Sequence, residues 1–245
     1  MTVLETIRHK LQSKKLHMTL LDPDKQDPAT AAGLARSAVE MGTDAIMLGG
    51  STGVTQDLLD ETVIQIKAEV DVPVILFPTT ASAVSLKADA IYFMSLLNSR
   101  NPRFITGEQM KASAAIKKSG LEPISMGYII VEPGMEAGQV GEANLVQEDD
   151  VESAVGYAVA GELLGMDLIY LEAGSGAHKP VPPDMISAVK QALDIPLIVG
   201  GGLRTVDTVK AAVDAGADII VTGTVVEEQG ISEKFRDIVA VVNGA

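Results

Sequence analysis

Leu197-Ile198-Val199-Gly200-Gly201-Gly202-Leu203-Arg204-Thr205 sets three apolar residues against three glycines and then opens a polar, amphipathic stretch. A short apolar run of this kind reads as a buried strand. The glycines that end it leave backbone N–H groups free to close on an anion. The next apolar run, 219–221, ends the same way, in Gly223-Thr224. Working outward, six earlier runs have the same character, at 17–21, 45–48, 74–77, 90–94, 124–131 and 168–171. Amphipathic segments separate or follow the runs at 28–41, 55–70, 106–118, 149–164, 183–193, 205–215 and 232–242, with apolar residues at helical spacing. Strand-then-helix repetition means a parallel sheet. An open doubly wound sheet usually carries its glycine-rich loop after the first strand, whereas here the glycines follow strands six, seven and eight. The expectation is an α/β fold: one (β/α)8 TIM barrel over residues 1–245, a phosphate-binding site at its mouth, and an N-terminal helix at about 1–15.

Three near-identical phrases mark where helices hand over to strands: Met41-Gly42-Thr43-Asp44-Ala45, Leu164-Gly165-Met166-Asp167-Leu168 and Ala215-Gly216-Ala217-Asp218-Ile219. Each glycine suits a left-handed helix C-terminus. One unit departs from the pattern, because only residues 78–89 separate the third strand from the fourth, and they hold Pro78-Thr79-Thr80 and Ala81-Ser82-Ala83. The third helix is therefore expected to be shortened or replaced by a loop.

The chain's 245 residues are 47% apolar, 21% charged and 3% aromatic, an ordinary composition with an ample core. A formal charge of −14 repels nucleic-acid phosphates and anionic headgroups, so an anion must be held by local donors and nucleic acid is excluded as a partner. With no cysteine there is no disulfide, no thiolate zinc site and no thiol nucleophile, which fits the cytoplasm. Residues 1–15 lack a signal-peptide core, and no apolar run reaches membrane-spanning length.

Strand six ends in Tyr170-Leu171-Glu172-Ala173-Gly174-Ser175-Gly176. Alternation points Tyr170 and Glu172 to one side, which at this end of a barrel strand is the mouth. Glu172 is the candidate general base, able to take a proton from a hydroxyl on a phosphate-bearing molecule; the competing reading is an interior carboxylate paired with a lysine. Strand one ends in Asp22-Pro23-Asp24-Lys25 and strand two in Gly49-Gly50-Ser51-Thr52-Gly53. Mg2+ keeps several waters and takes one or two protein oxygens plus phosphate oxygens, so Asp22 with Ser51 would suffice. Asp-Pro-Asp reads equally well as a turn with Asp24 near a helix N-terminus. His9, His17 and His178 show no metal-ligand spacing and read as structural or surface residues.

Taken together, these residues resemble the geranylgeranylglyceryl phosphate synthases and the wider group of polyprenylglyceryl phosphate synthases, over nearly the whole chain. The carriers are Thr19-Leu20-Leu21-Asp22-Pro23-Asp24-Lys25, Met47-Leu48-Gly49-Gly50-Ser51, Phe93-Met94-Ser95-Leu96-Leu97-Asn98-Ser99, Met126-Gly127-Tyr128, the Tyr170 to Gly176 motif, Val199-Gly200-Gly201-Gly202 and Val221-Thr222-Gly223-Thr224. The motif after strand six is the most specific.

The resemblance implies a Mg2+-dependent prenyltransferase of membrane-lipid synthesis, forming an ether bond between geranylgeranyl (polyprenyl) diphosphate and the C3 hydroxyl of sn-glycerol 1-phosphate. It implies Asp22 and Ser51 as metal ligands, Glu172 with Tyr170 as the catalytic pair, and Tyr170, Leu171, Glu172, Ala173, Gly174, Ser175, Gly176, Gly201, Gly202, Gly223 and Thr224 around glycerol phosphate. A barrel without its third helix would open a side groove for the tail, with Phe77, Phe93, Met94, Tyr128 and Ile130 as lining candidates, although apolar barrel residues need no ligand to explain them. It further implies a homo-oligomer, dimer or hexamer, in transient contact with the membrane and without an anchor. One subgroup has a phosphate-contacting lysine two residues before the strand-one aspartate; here that residue is Leu20, which places the chain in the other subgroup. The alternatives are a phosphosugar isomerase or aldolase on the same barrel and a noncatalytic glycerol-phosphate sensor. For the first, strand five ends in Glu132 but offers no lysine for a Schiff base.

Overall fold

A computed structural model describes residues 1–50, 55–223 and 232–244. Eight parallel strands close into a barrel in which each pairs with the next in sequence and the eighth returns to the first. In chain order the elements are α1 (Val3–Leu11), β1 (Leu16–Leu21), α2 (Pro28–Glu40), β2 (Ala45–Gly50), α3 (Gln56–Glu69), β3 (Val74–Pro78), β4 (Ala90–Leu96), α4 (Glu108–Ser119), β5 (Glu122–Ile130), α5 (Met135–Val140), α6 (Val151–Leu163), β6 (Leu168–Glu172), α7 (Pro183–Ala192), β7 (Leu197–Gly200), α8 (Val206–Asp214), β8 (Ile219–Thr222) and α9 (Glu233–Asn243). Strand alternation divides the core in two. Met18, Met47, Tyr92, Met126 and Tyr170 fill the barrel interior, while Ile46, Leu76, Ile129, Leu171 and Val199 face the helices.

Residues 79–89 carry no helix, as the short connection predicts. Three departures stand out. The N-terminal helix covers Val3–Leu11 rather than about 1–15, because the chain must straighten to enter β1 at Leu16. A π-turn at Arg103–Gly107 precedes α4, so the regular helix starts at Glu108 rather than at 106. The six-residue α5 enters from Gly134 at φ 70° with Met135 at φ 46°, a start that apolar periodicity does not announce.

The three repeated phrases also do more than end helices. Their aspartates each accept a backbone amide of a neighbouring strand: Asp44 from His17 at 3.3 Å, Asp167 from Ser125 at 3.1 Å and Asp218 from Leu197 at 2.9 Å. Cations of the N-terminal segment then seal the same end of the barrel, with Arg8 on Asp167, Lys10 and Lys14 on Asp44, and Lys15 on Asp218. Glu122 completes the seal by accepting the amides of Val3 at 2.6 Å and Leu4 at 2.9 Å at the N-terminus of α1. This closed end serves stability, which leaves the opposite end for chemistry.

Candidate active site

Glu172 is the last residue of β6 and only 6% exposed. It accepts the Gly174 amide at 2.6 Å and is hydrogen-bonded by the Tyr170 hydroxyl. Burial raises its carboxyl above the usual carboxylate range, and the bonds from Tyr170 and Gly174 offset only part of that rise. Its polar partners among the described residues are Tyr170 and Gly174 rather than a lysine. The neighbouring rings are close: Tyr170 lies 5.2 Å from Tyr128 and 5.8 Å from Phe77 between centroids, and Phe77 lies 6.3 Å from Tyr92. Burial, with the charge of Glu172, pushes the Tyr128 and Tyr170 hydroxyls well above their ordinary value, so both stay protonated donors.

The loop after β7 presses against the loop after β6. A side chain at Gly201 would collide with the Glu172 carboxylate and stand 2.6 Å from the Gly174 nitrogen; one at Gly202 would stand 2.6 Å from the Lys179 carbonyl carbon and oxygen. Both glycines also hold left-handed backbone, at φ 79° and 69°. Between them opens a small cup, lined by Leu20, Tyr170, Glu172, Ser175, Gly201, Gly202, Arg204, Thr222 and Gly223 among others. Leu171 and Ala173 do not line it, because strand alternation turns their side chains into the outer core. Gly174 and Gly176 shape the turn instead, at φ 101° and 78°. Thr224 and Ser51 lie outside the described residues.

A second, larger cavity of about 240 Å³ begins at the same place. Leu20, Glu172 and Ser175 border both spaces. From Asp22, Gly49 and Tyr128 at the mouth, the cavity passes Phe77, Tyr92 and Met94 and crosses to the outer face of the sheet, where Val84, Ile91, Phe93, Ala112 and Ile116 line it. That outer face is where a third helix would have packed. Phe77, Phe93, Met94 and Tyr128 are thus brought together in one groove, and Ile130 is not. Ile130 is fully buried, with Gly134 and Gly138 of the α5 turn packed over its end of β5. The far wall of the groove, including Phe104, Glu108 and Gln109, comes from the π-turn and α4. Sequence reasoning missed it because those side chains belong to a helix flank. Arg204 in the cup was missed too, although it stands two residues after the glycine run.

At the cation candidate, the Asp22 carboxylate lies against Gly49, where any side chain would displace it, and pairs with Lys25 at 2.8 Å. Among the described residues no group of three or more His, Asp or Glu side chains gathers to hold a metal.

The closed (β/α)8 barrel thus carries a glycine-walled cup that opens, beside a buried carboxylate, into an apolar groove. The sequence pattern of the PcrB family matches residues 9–242, and this chain belongs to that family. It is 54% identical over 231 residues to the geranylgeranylglyceryl phosphate synthase of Thermococcus kodakarensis, covering 94% of this chain and 92% of that one. It is 52% identical over 233 residues to the enzyme of the same name from Methanosarcina acetivorans, covering 94% of each. The crystal structure of (S)-3-O-geranylgeranylglyceryl phosphate synthase from Thermoplasma acidophilum, in complex with sn-glycerol-1-phosphate, matches with a TM-score of 0.97 at 44% identity over the whole of both chains.

Proposed function

We propose that this chain joins C1 of a geranylgeranyl (polyprenyl) diphosphate to the C3 hydroxyl oxygen of sn-glycerol 1-phosphate, releasing diphosphate. The observation that carries the reading is the shared border of cup and groove: a phosphate held among Gly201, Gly202 and Gly223 leaves the glycerol hydroxyls facing Glu172 where the apolar groove begins.

Glu172 takes the hydroxyl proton as the new C–O bond forms and the bond from C1 to the diphosphate oxygen breaks. Its raised pKa makes it a stronger base than an exposed carboxylate, and Tyr170 holds it in place. The groove shields the allylic centre from water and holds the tail, at roughly 0.8 kcal/mol per buried CH2. Asp22, an oxygen donor placed at the mouth by Gly49, fits a hard cation that keeps its waters, and with Ser51 it would hold Mg2+. When bound, the ion supplies charge neutralisation on the leaving diphosphate.

The same reading puts the enzyme in the cytoplasm as a homo-oligomer, dimer or hexamer, drawing its donor from the membrane by transient contact. It agrees with the finding that, among the described residues, no helix is long and apolar enough to cross a membrane. The isomerase or aldolase reading finds less support. It needs a second acid or base facing the cup, where Glu172 is the single carboxylate among the described lining residues, and Glu132 borders neither space. Glu172→Gln keeps shape and hydrogen-bond acceptor but removes the base. Calorimetry should find glycerol 1-phosphate binding retained while turnover falls by about 10²–10⁴-fold; near-normal turnover would refute the assignment.

A further inference from the structure

We infer that Glu108 is a positioning residue for the prenyl tail, clasping together the two walls of the groove in the place of the missing helix. The inference rests on the proposed transferase reading.

One wall is the loop after β3, with Thr79, Thr80, Ala81 and Val84; the other is the π-turn and α4, with Phe104 and Ile116. Among the described residues, the one hydrogen bond between these walls runs from the Ala81 amide to Glu108 Oε2, at 2.8 Å. The other carboxylate oxygen accepts Arg103 Nε at 2.6 Å and Lys111 Nζ at 2.8 Å. Glu108 is 8% exposed, so the bond to Ala81 is sheltered from competing water.

The π-turn makes this arrangement possible. The Glu108 amide bonds the Arg103 carbonyl across the widened turn, which sets the two side chains on the same side. Arg103 also lies 5.3 Å over the Phe104 ring, itself part of the groove wall. Burial alone would raise the Glu108 carboxyl, but the Ala81 amide, Lys111 and Arg103 together hold it down at about 2, so the clasp stays ionised at every working pH. Glu108 does not border the phosphate cup. Its loss should therefore be felt by the donor and not by glycerol 1-phosphate.

The test is steady-state kinetics on the full chain with each substrate varied in turn. Glu108→Ala should raise KM for geranylgeranyl diphosphate by about tenfold, the scale of one charge-assisted hydrogen bond, with KM for glycerol 1-phosphate unchanged. It should also flatten the ratio of kcat/KM between shorter and longer prenyl donors. Glu108→Gln keeps an acceptor for Ala81 and should recover part of the donor affinity. Lys111→Met, at a half-exposed position that spares the fold, should shift donor KM in the same direction by a smaller factor. A donor KM that stays at the wild-type value in Glu108→Ala, or two KM values that rise together, would overturn the clasp. Failure of the wild-type chain to make any product with these substrates would instead overturn the transferase reading.

Discussion

Acidification should destabilise this barrel through one histidine more than through any surface group. His17 is fully buried on the outer side of β1. Its Nδ1 lies 2.5 Å from the Thr43 hydroxyl, its Nε2 lies 2.9 Å from the Thr222 hydroxyl, and its ring meets Phe235 edge-on at 5.4 Å. Burial lowers its pKa from 6.5 to about 3, with Asp44 opposing the shift and Lys14 adding to it. The folded pKa thus lies below the unfolded one, so the unfolded chain takes up a proton that the folded chain refuses. The stabilisation is intact above about pH 6.5 and is lost as pH falls towards 3. Each pH unit in that window costs about 1.4 kcal/mol, so at about pH 4.5 the loss is roughly 2.7 kcal/mol, a large part of a typical 5–15 kcal/mol stability. Urea unfolding of wild type and His17→Gln at about pH 7.5 and about pH 4.5 measures it. The variant should start less stable, having lost ring contacts, yet fall by roughly 2–3 kcal/mol less on acidification. Parallel losses in the two proteins, or an imidazole that titrates near 6.5 by NMR, would refute the reasoning.

Three further outcomes follow from the site and its packing. The acid limb of kcat/KM should lie above the ordinary carboxylate range, because Glu172 must be ionised to act and its pKa is raised; Tyr170→Phe, which removes a bond that lowers it, should move that limb to still higher pH. Gly202→Ala meets the backbone of Lys179 and Pro180 and must keep left-handed φ, so calorimetry should find glycerol 1-phosphate affinity weakened by at least about tenfold, as a backbone cost of 1–2 kcal/mol or more requires. Gly127→Ala, crowded by the ends of Ile169, Met166 and Leu97 at 2.7–2.9 Å, should cost about 1–3 kcal/mol in thermal unfolding and leave substrate KM values unchanged.

The eight strands and the glycine loops were legible because a parallel barrel buries both faces of each strand, which writes short, uniformly apolar runs into the sequence. The shortened or missing helix was legible from length alone, since a full one barely fits in residues 78–89. What escaped is what depends on neighbours. The π-turn and α5 are built on local backbone geometry, at Arg103–Gly107 and around Gly134, without an apolar period to mark them. Ile130 shares the inward face with Tyr128, and only the unforeseen α5 turn buries it away from the groove. The repeated Gly-x-Asp phrases were read for their glycines, whereas the aspartates pin adjacent strands and receive the N-terminal cations, a pairing between residues as far apart as Arg8 and Asp167. The place of Glu172 at the mouth was legible because strand alternation and the following glycines together define that end of the barrel, and its burial and bond to Tyr170 then follow from the fold.

The most direct measurement supplies labelled sn-glycerol 1-phosphate and a ladder of prenyl diphosphates, with and without Mg2+, and follows the label into an organic phase. A lipid-soluble labelled ether is expected that requires the cation, forms about 10²–10⁴-fold more slowly in Glu172→Gln, and forms best with the donor whose tail fills the groove. Binding of glycerol 1-phosphate with no lipid-soluble label from any donor would contradict it.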